Sequence, residues 1–430
     1  IYININMYQL VEKMKNVKSF HELYELPLDI KKQVQSKSLR IGLINVPCGG
    51  FGDIIVCQIF SEYLQYWYPE HDVITCTTAP HKFKSLGIDT KKFVKIHVNG
   101  DEECETYDLL YFKKQPRKFD IMICIPIINF VFNINQFKKF IPYANHFNTF
   151  TMSEYNGLYP PYTFPIGVGE GQLGLFLIKP EIKFHNLIKK PYAFVYIQPS
   201  PIIGSHGKTC FLCYIEMISK KYSQQHDFFQ VVIPPWIIEE LQNDGNFKHR
   251  LKKAITTYYP NVWLKHQEDS KDEFFHGQGK TLILRGDLLP QPRHIFISLL
   301  KYSVEDVLLT GDQSVTDAFS CCSKSKKIWY QAAPWKEDFA HAMAKAIPNP
   351  KFETFKTACG TIKGLHKSMD YTDFIKKYDF RKLGKQKMDS IIRFTLMKDD
   401  PMIQFYMDSV LHSYKVESVI KKLKKKYKIE

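Results

Sequence analysis

The feature that most restricts this chain is an alternation, met twice, between short apolar runs and longer helical stretches. In the first half, residues 39–46, 72–78, 93–98 and 119–127 are rich in Val, Ile and Phe and are bounded by Gly, Pro or charges, as buried strands are. Between the first two, residues 54–67 place Ile55, Ile59, Leu64 and Trp67 on one helical stripe. A strand, a glycine turn, a helix and a second strand form a βαβ unit, which demands a parallel sheet covered by helices. The second half repeats the arrangement, with strands expected at 192–197, 228–233, 281–284, 307–310 and 328–331 and helices at 211–221 and 292–301. Between the halves, residues 178–190 are punctuated by Lys-Pro and Lys-Lys-Pro steps and read as a linker. The expectation is an α/β chain with two Rossmann-like, doubly wound domains facing a cleft, at 1–180 and 191–364. A basic helical tail follows over 365–430.

Composition removes several classes. Of 430 residues, 44% are hydrophobic and 14% aromatic, enough for large cores and too many for global disorder. No apolar run approaches the roughly 18–20 residues of a spanning helix. Residues 1–11 carry no basic stretch or small-residue cleavage site, so no secretory signal is expected there. The net charge of +15 raises the question of a polyanion partner. Residues 361–430 hold 17 Lys and Arg against 9 Asp and Glu, so much of the excess belongs to the tail. Only seven residues are Arg, whereas surfaces that read nucleic-acid sequence favour the guanidinium fork, so no specific nucleic acid is expected. Ten cysteines are scattered, several inside apolar runs, which fits reduced, buried thiols and a cytoplasmic protein. Cys210 and Cys213 form the one CxxC, without a second pair at zinc spacing.

Chemistry is expected in the loops that leave the strands. The sequence Asn45-Val46-Pro47-Cys48-Gly49-Gly50-Phe51-Gly52-Asp53 lies where the first strand gives way to a helix. There, backbone N–H groups and the helix dipole favour an anion, and glycines permit close approach. A tight turn with Asp53 capping the helix is the other reading. Gly207-Lys208-Thr209 mimics the end of a phosphate-binding loop, but Ile202 occupies the place of its first glycine, which argues against nucleotide hydrolysis. Gly169-x-Gly171-x-x-Gly174 matches a dinucleotide pattern literally, yet too short a stretch follows for the required helix, so a flexible loop is expected. Arg285 ends a strand and either holds a phosphate or pairs with Asp287. Trp329 and Trp335 flank the last strand end and either stack on a ligand or fill the core.

Gly52-Asp53-Ile54-Ile55 opening a helix, followed by Tyr68-Pro69 and Val73-Ile74, resembles the first βαβ unit of the bacterial lipopolysaccharide heptosyltransferases. Those are metal-independent glycosyltransferases of the GT-B fold. Leu309-Thr310-Gly311-Asp312-Gln313-Ser314-Val315-Thr316-Asp317-Ala318 resembles the segment with which that family cradles the donor diphosphate. The family pattern there is Asp-x-Gly-x-x-His-x-Ala; here Ser314 stands for the Gly, Asp317 for the His, and Ala318 falls one place early. The likeness spans residues 39–335 in architecture and rests on these two motifs.

The resemblance implies transfer of a hexosyl or heptosyl group from a nucleotide-diphospho-sugar to an acceptor hydroxyl, inverting and without metal or further cofactor. Asp53 would be the base, with Gly49, Gly50 and Gly52 in the adjoining loop. Lys208, Arg285, Gly311, Asp312, Gln313, Ser314, Val315, Thr316 and Asp317 would meet the donor. The acceptor, whether glycan, lipid or protein, stays open. One rival is an epimerase or hydrolase of nucleotide sugars on a similar fold. Another is a non-catalytic module that binds polyanion or anionic membrane through 419–430, where Ile420, Leu423 and Tyr427 share a stripe among lysines.

Overall fold

A computed structural model describes residues 38–47, 51–98, 110–114, 116–127, 143–144, 149–157, 163–177, 183–199, 206–267, 272–321, 326–331, 336–346, 351–357, 359–366 and 376–396, together with 421 and 425. Gly49, Gly50, the loop at 200–205, Trp335 and nearly all of 419–430 lie outside the described residues. The chain divides into two compact units: Ile1–Lys84 with Ile88–Phe176 and Lys377–Glu430, and Ser85–Gly87 with Leu177–Lys376.

The first unit opens with β1 (Arg40–Asn45), α1 (Gly52–Trp67), β2 (Asp72–Thr77), α2 (Pro80–Ser85) and β3 (Val94–Lys95). After a small antiparallel ribbon of β4 (His97–Val98) and β5 (Leu110–Tyr111) come β6 (Ile121–Ile127), β7 (Thr149–Ser153) and β8 (Thr163–Phe164). The sheet order is β3-β2-β1-β6-β7-β8, and every pairing in it is parallel. The chain steps outward from β1 to β3, then returns to the other side of β1. That reversal, between β1 and β6, is the place where doubly wound sheets receive ligands, beyond the carboxyl ends of the strands. Gly42 in β1 allows the ring of Phe119 to lie against the strand, since a Cβ there would come within 2.8 Å of it.

The second unit runs β9 (Tyr192–Tyr196), α3 (His206–Tyr222), β10 (Phe228–Val232), α4 (Pro235–Asn243), α5 (Gly245–Ile255), β11 (Asn261–Lys265), β12 (Asp272–Phe275) and β13 (Thr281–Arg285). It continues with α6 (Arg293–Tyr302), β14 (Asp306–Thr310), α7 (Asp312–Cys321), β15 (Lys327–Gln331), α8 (Glu337–Ala346), β16 (Lys351–Thr357) and β17 (Gly360–His366). Its nine strands are ordered β12-β11-β13-β10-β9-β14-β15-β17-β16. The six from β11 to β15 in that order are parallel, while β12 and the β16–β17 hairpin add antiparallel edges. The run Cys210-Phe211-Leu212-Cys213-Tyr214-Ile215 in α3 is wholly buried, among Val195, Phe229, Leu251 and Leu308. At the far, amino end of β14, the carboxylate of Asp306 accepts from Lys221 Nζ at 2.7 Å, Tyr222 Oη at 2.9 Å and Trp329 Nε1 at 3.0 Å. Trp329 is therefore core, as the second of its two sequence readings has it.

The expected α/β class and its two doubly wound parallel sheets are what the structure has. The difference lies after residue 365, where a tail was expected. There α9 (Phe380–Leu396) belongs to the first unit. Its Phe380 meets Phe60 at 5.7 Å and Phe176 at 4.5 Å between ring centroids, and Tyr68 Oη donates to Asp389 at 2.6 Å. The apolar positions Phe380, Met388, Ile391 and Ile392 bury one stripe, each burial contributing about 1.5–3 kcal/mol. The polar residues between them gave this helix its tail-like composition. Among the described residues, no helix is long and apolar enough to cross a membrane.

Candidate functional site

In the first unit the carboxyl end of β1 meets β2, β6 and α1 in a hydrogen-bonded node built on an amide and a hydroxyl. Asn45 ends β1 and is fully buried. Its Nδ2 donates to the carbonyls of Ile125, at 2.9 Å, and Asp53, at 3.2 Å. Its Oδ1 accepts from Thr77 Oγ1 at 3.1 Å. Asp53 stands half-buried in the first turn of α1, where a negative charge complements the helix dipole. It is not the helix cap: Phe51 occupies that position, and no side chain caps the helix. Gly52 opens the helix with open space where a Cβ would be.

The second unit's strand ends carry ion pairs instead. At β14, Gly311 takes φ of 79°, a left-handed turn that favours glycine, and releases the chain into α7. Asp312 then accepts from Lys336 Nζ at 2.9 Å and Tyr330 Oη at 3.3 Å. Gln313, Ser314, Val315 and Thr316 are buried in the first turns of α7, with Thr316 Oγ1 bonded to the Asp312 carbonyl at 2.9 Å. Asp317 is buried too and accepts from Arg293 and Gln313, each at 2.7 Å. Burial raises its carboxyl above the usual range, and Arg293 and Gln313 work against that rise.

Two expected donor ligands are engaged elsewhere. Lys208, in the first turn of α3, reaches Glu240 at 2.5 Å and Asp244 at 2.9 Å. The hydrogen bond to Glu240 leads in raising its pKa. Arg285 grips Asp287 through two bonds of 2.7 and 2.8 Å and donates to Gln230 at 3.0 Å, so of its two sequence readings the structure has the pair with Asp287. Lys265 adds a 3.5 Å contact to Asp287, joining the ends of β11 and β13.

The pseudo-dinucleotide pattern has a structural explanation. Gly169, Gly171 and Gly174 all have positive φ, Gly167 bridges Gly174, and Leu175 N–H donates to the Tyr378 carbonyl at 2.7 Å. A Cβ on Gly174 would lie 2.4 Å from that carbonyl oxygen. The loop is a tight turn pressed against the entry to α9, and its glycines serve backbone geometry.

Four residues around these strand ends were assigned no role from the sequence: Asn45, Arg293, Gln331 and Lys336. Gln331 is fully buried; it accepts from the N–H of Gln198 and donates to its carbonyl, both at 3.1 Å, which ties the loop after β9 to β15. A usable signal existed for two of them, since Asn45 and Gln331 are polar residues closing apolar strands. Among the described residues, no three His, Cys, Asp or Glu side chains group as metal ligands would.

No protein-family model matches the chain, and neither does any curated protein. Among solved structures, a glycosyltransferase from Rickettsia africae ESF-5 is similar at 11% identity, over 91% of this chain and 98% of that one, with a TM-score of 0.36. The E. coli trehalose-6-phosphate structure bound with UDP-2-fluoro glucose is similar at 10% identity, over 91% and 99% of the two chains, with a TM-score of 0.31. An apo structure of OtsA is similar at 11% identity, over 96% and 76%, with a TM-score of 0.25. None of these three is described as a heptosyltransferase.

Proposed function

We propose that the protein is a glycosyltransferase that moves a sugar from a nucleotide-diphospho-sugar to an acceptor hydroxyl, with inversion and without a metal ion. The observation that supports this most is the presence of two Rossmann-like sheets in one chain, with strand ends of contrasting chemistry. The amide and hydroxyl node at the end of β1 suits a hydroxyl acceptor, and the cation-bearing strand ends of the second unit suit a diphosphate. Asp53 takes the acceptor's proton as its oxygen attacks the anomeric carbon from the face opposite the diphosphate. The anomeric C–O bond breaks, and its electron pair leaves with the nucleotide diphosphate. The start of α7, after Gly311, supplies amides and a dipole to the developing charge.

Lys336 takes the place first assigned to Lys208 as the cation for the leaving group. It stands over Asp312 at the helix start, whereas Lys208 already answers two carboxylates. Without donor, Asp312 compensates Lys336; a bound diphosphate competes for the same ammonium group. The test is a thermal-shift panel of nucleotide sugars carrying different bases. At least one should raise Tm in a saturable way, as a ligand specific to the folded state must. If none does, the glycosyltransferase reading fails. A hit consumed without any acceptor would instead support a hydrolase.

A further inference from the structure

Asn45 performs a task that the mechanism above leaves unassigned. The last β1–β6 pair is Ile44 with Cys124, yet β6 continues to Ile127, so the two strands part where the strand order reverses. The Asn45 carboxamide fills that parting. Its two Nδ2 hydrogens go to Ile125 on β6 and to Asp53 in α1, and its Oδ1 takes the hydroxyl of Thr77 at the end of β2. Thr77 Oγ1 in turn accepts from the N–H of Ala79 at 3.2 Å, and the main-chain carbonyl of Asn45 accepts from Thr78 at 3.4 Å. Both amide hydrogens and the amide oxygen are thus used in one orientation. A flipped amide would set its oxygen against two carbonyls.

We propose that Asn45 is a positioning residue for Asp53. It pins the backbone of the first turn of α1 to two strand ends at once, so the Asp53 carboxylate has one location relative to the sheet. The proposal rests on the reading of Asp53 as the base. Loss of such a pin costs turnover, because an ångström of misplacement is expensive in a proton transfer, while donor affinity, which belongs to the other unit, is untouched.

The experiment uses the full chain with carbon-13 in its aspartate carboxyls, the Asp53 signal being the one lost in Asp53→Asn. Asn45→Ala should shift the titration midpoint of Asp53 by about half a unit or more and speed amide exchange over residues 54–58 by about tenfold or more. Thr77→Val, which keeps both Nδ2 bonds, should move both readouts the same way by less. Exchange over residues 192–232 should not change. An unchanged Asp53 midpoint in folded Asn45→Ala overturns the proposal. If that variant does not fold, an unchanged midpoint in Thr77→Val overturns it equally. Neither readout needs a sugar nucleotide, so a thermal-shift panel without hits sinks the glycosyltransferase reading without deciding this one. With a donor in hand, Asn45→Ala should lower kcat about tenfold or more and leave the donor KM in place.

Discussion

The two units share a design and differ at the carboxyl ends of their strands. In the first, the described strand ends are joined by an amide, a hydroxyl and backbone carbonyls, with Asp53 beside them. In the second, they are latticed by Lys208 with Glu240 and Asp244, Arg285 with Asp287, Lys336 with Asp312, and Arg293 with Asp317. Under the proposed function, the contrast would let one fold serve two partners. An amide and hydroxyl node would hold the turn that carries the base. A compensated ion-pair lattice would, on the same reading, keep cations in place until a stronger anion competes for them. The net charge of the chain, which first suggested a polyanion, says little about either.

Breaking the lattice away from the ligand end should have the largest effect. Asp306→Ala strands two buried donors at the amino end of β14, Tyr222 Oη and Trp329 Nε1, and takes one of its two carboxylates from Lys221; it should cost about 3–5 kcal/mol in urea unfolding. A loss below about 1 kcal/mol would show that the second unit's charges are ornamental.

The first unit offers the converse case. Lys387 in α9 is fully buried, its Nζ 4.7 Å from the Phe164 ring centroid, and burial lowers its pKa from 10.5 to about 7. Between those values the unfolded chain binds a proton that the folded chain does not, so stability rises with pH across that window. Lys387→Met should therefore stabilise the protein by roughly 2–4 kcal/mol at pH 7, and the gain should fade as pH approaches 10.5. Urea midpoints at pH 7 and pH 10 measure it. A gain that does not depend on pH would contradict the lowered pKa of Lys387.

Two lysines of the second unit sharpen the comparison further. Lys336→Met should weaken donor binding about tenfold, roughly 1.4 kcal/mol, by isothermal titration. Lys208→Met should leave that affinity within about twofold and cost at most about 1 kcal/mol of stability, since its partners are half-exposed. The reverse ranking would return the donor cation to Lys208.

Much of this architecture was legible because buried parallel strands are short apolar runs, and the 192–197, 228–233 and 307–310 runs are nearly invariant signals of them. Strand β11, Asn-Val-Trp-Leu-Lys, was overlooked because it has polar ends and only three apolar residues. The helix α9 was overlooked as core because lysines and Gly384 interrupt its stripe; that glycine lets the Phe380 ring fold back on the helix, where a Cβ would come within 2.3 Å. The site was legible as loops and, apart from Arg285 with Asp287, not as partners. Lys208 and Arg285 stand where a phosphate ligand would be sought, yet their carboxylates come from α4, the residue just before α5, and the turn after β13. The Arg285–Asp287 pair, two residues apart, was one of the sequence readings; the carboxylates of Lys208, 32 and 36 residues away, were not, because no spacing reveals partners at that separation. Asn45 and Gln331 show the more useful sign: a polar residue that closes an apolar strand and is then buried has a partner to hold.

The central claim is that one unit holds the donor while Asp53 of the other does the proton chemistry. With a nucleotide sugar found by thermal shift, the direct measurement is donor affinity and transfer rate in Asp53→Asn. Affinity should stay at the wild-type value while transfer falls by about two to four orders of magnitude. Wild-type transfer by that variant would contradict the account.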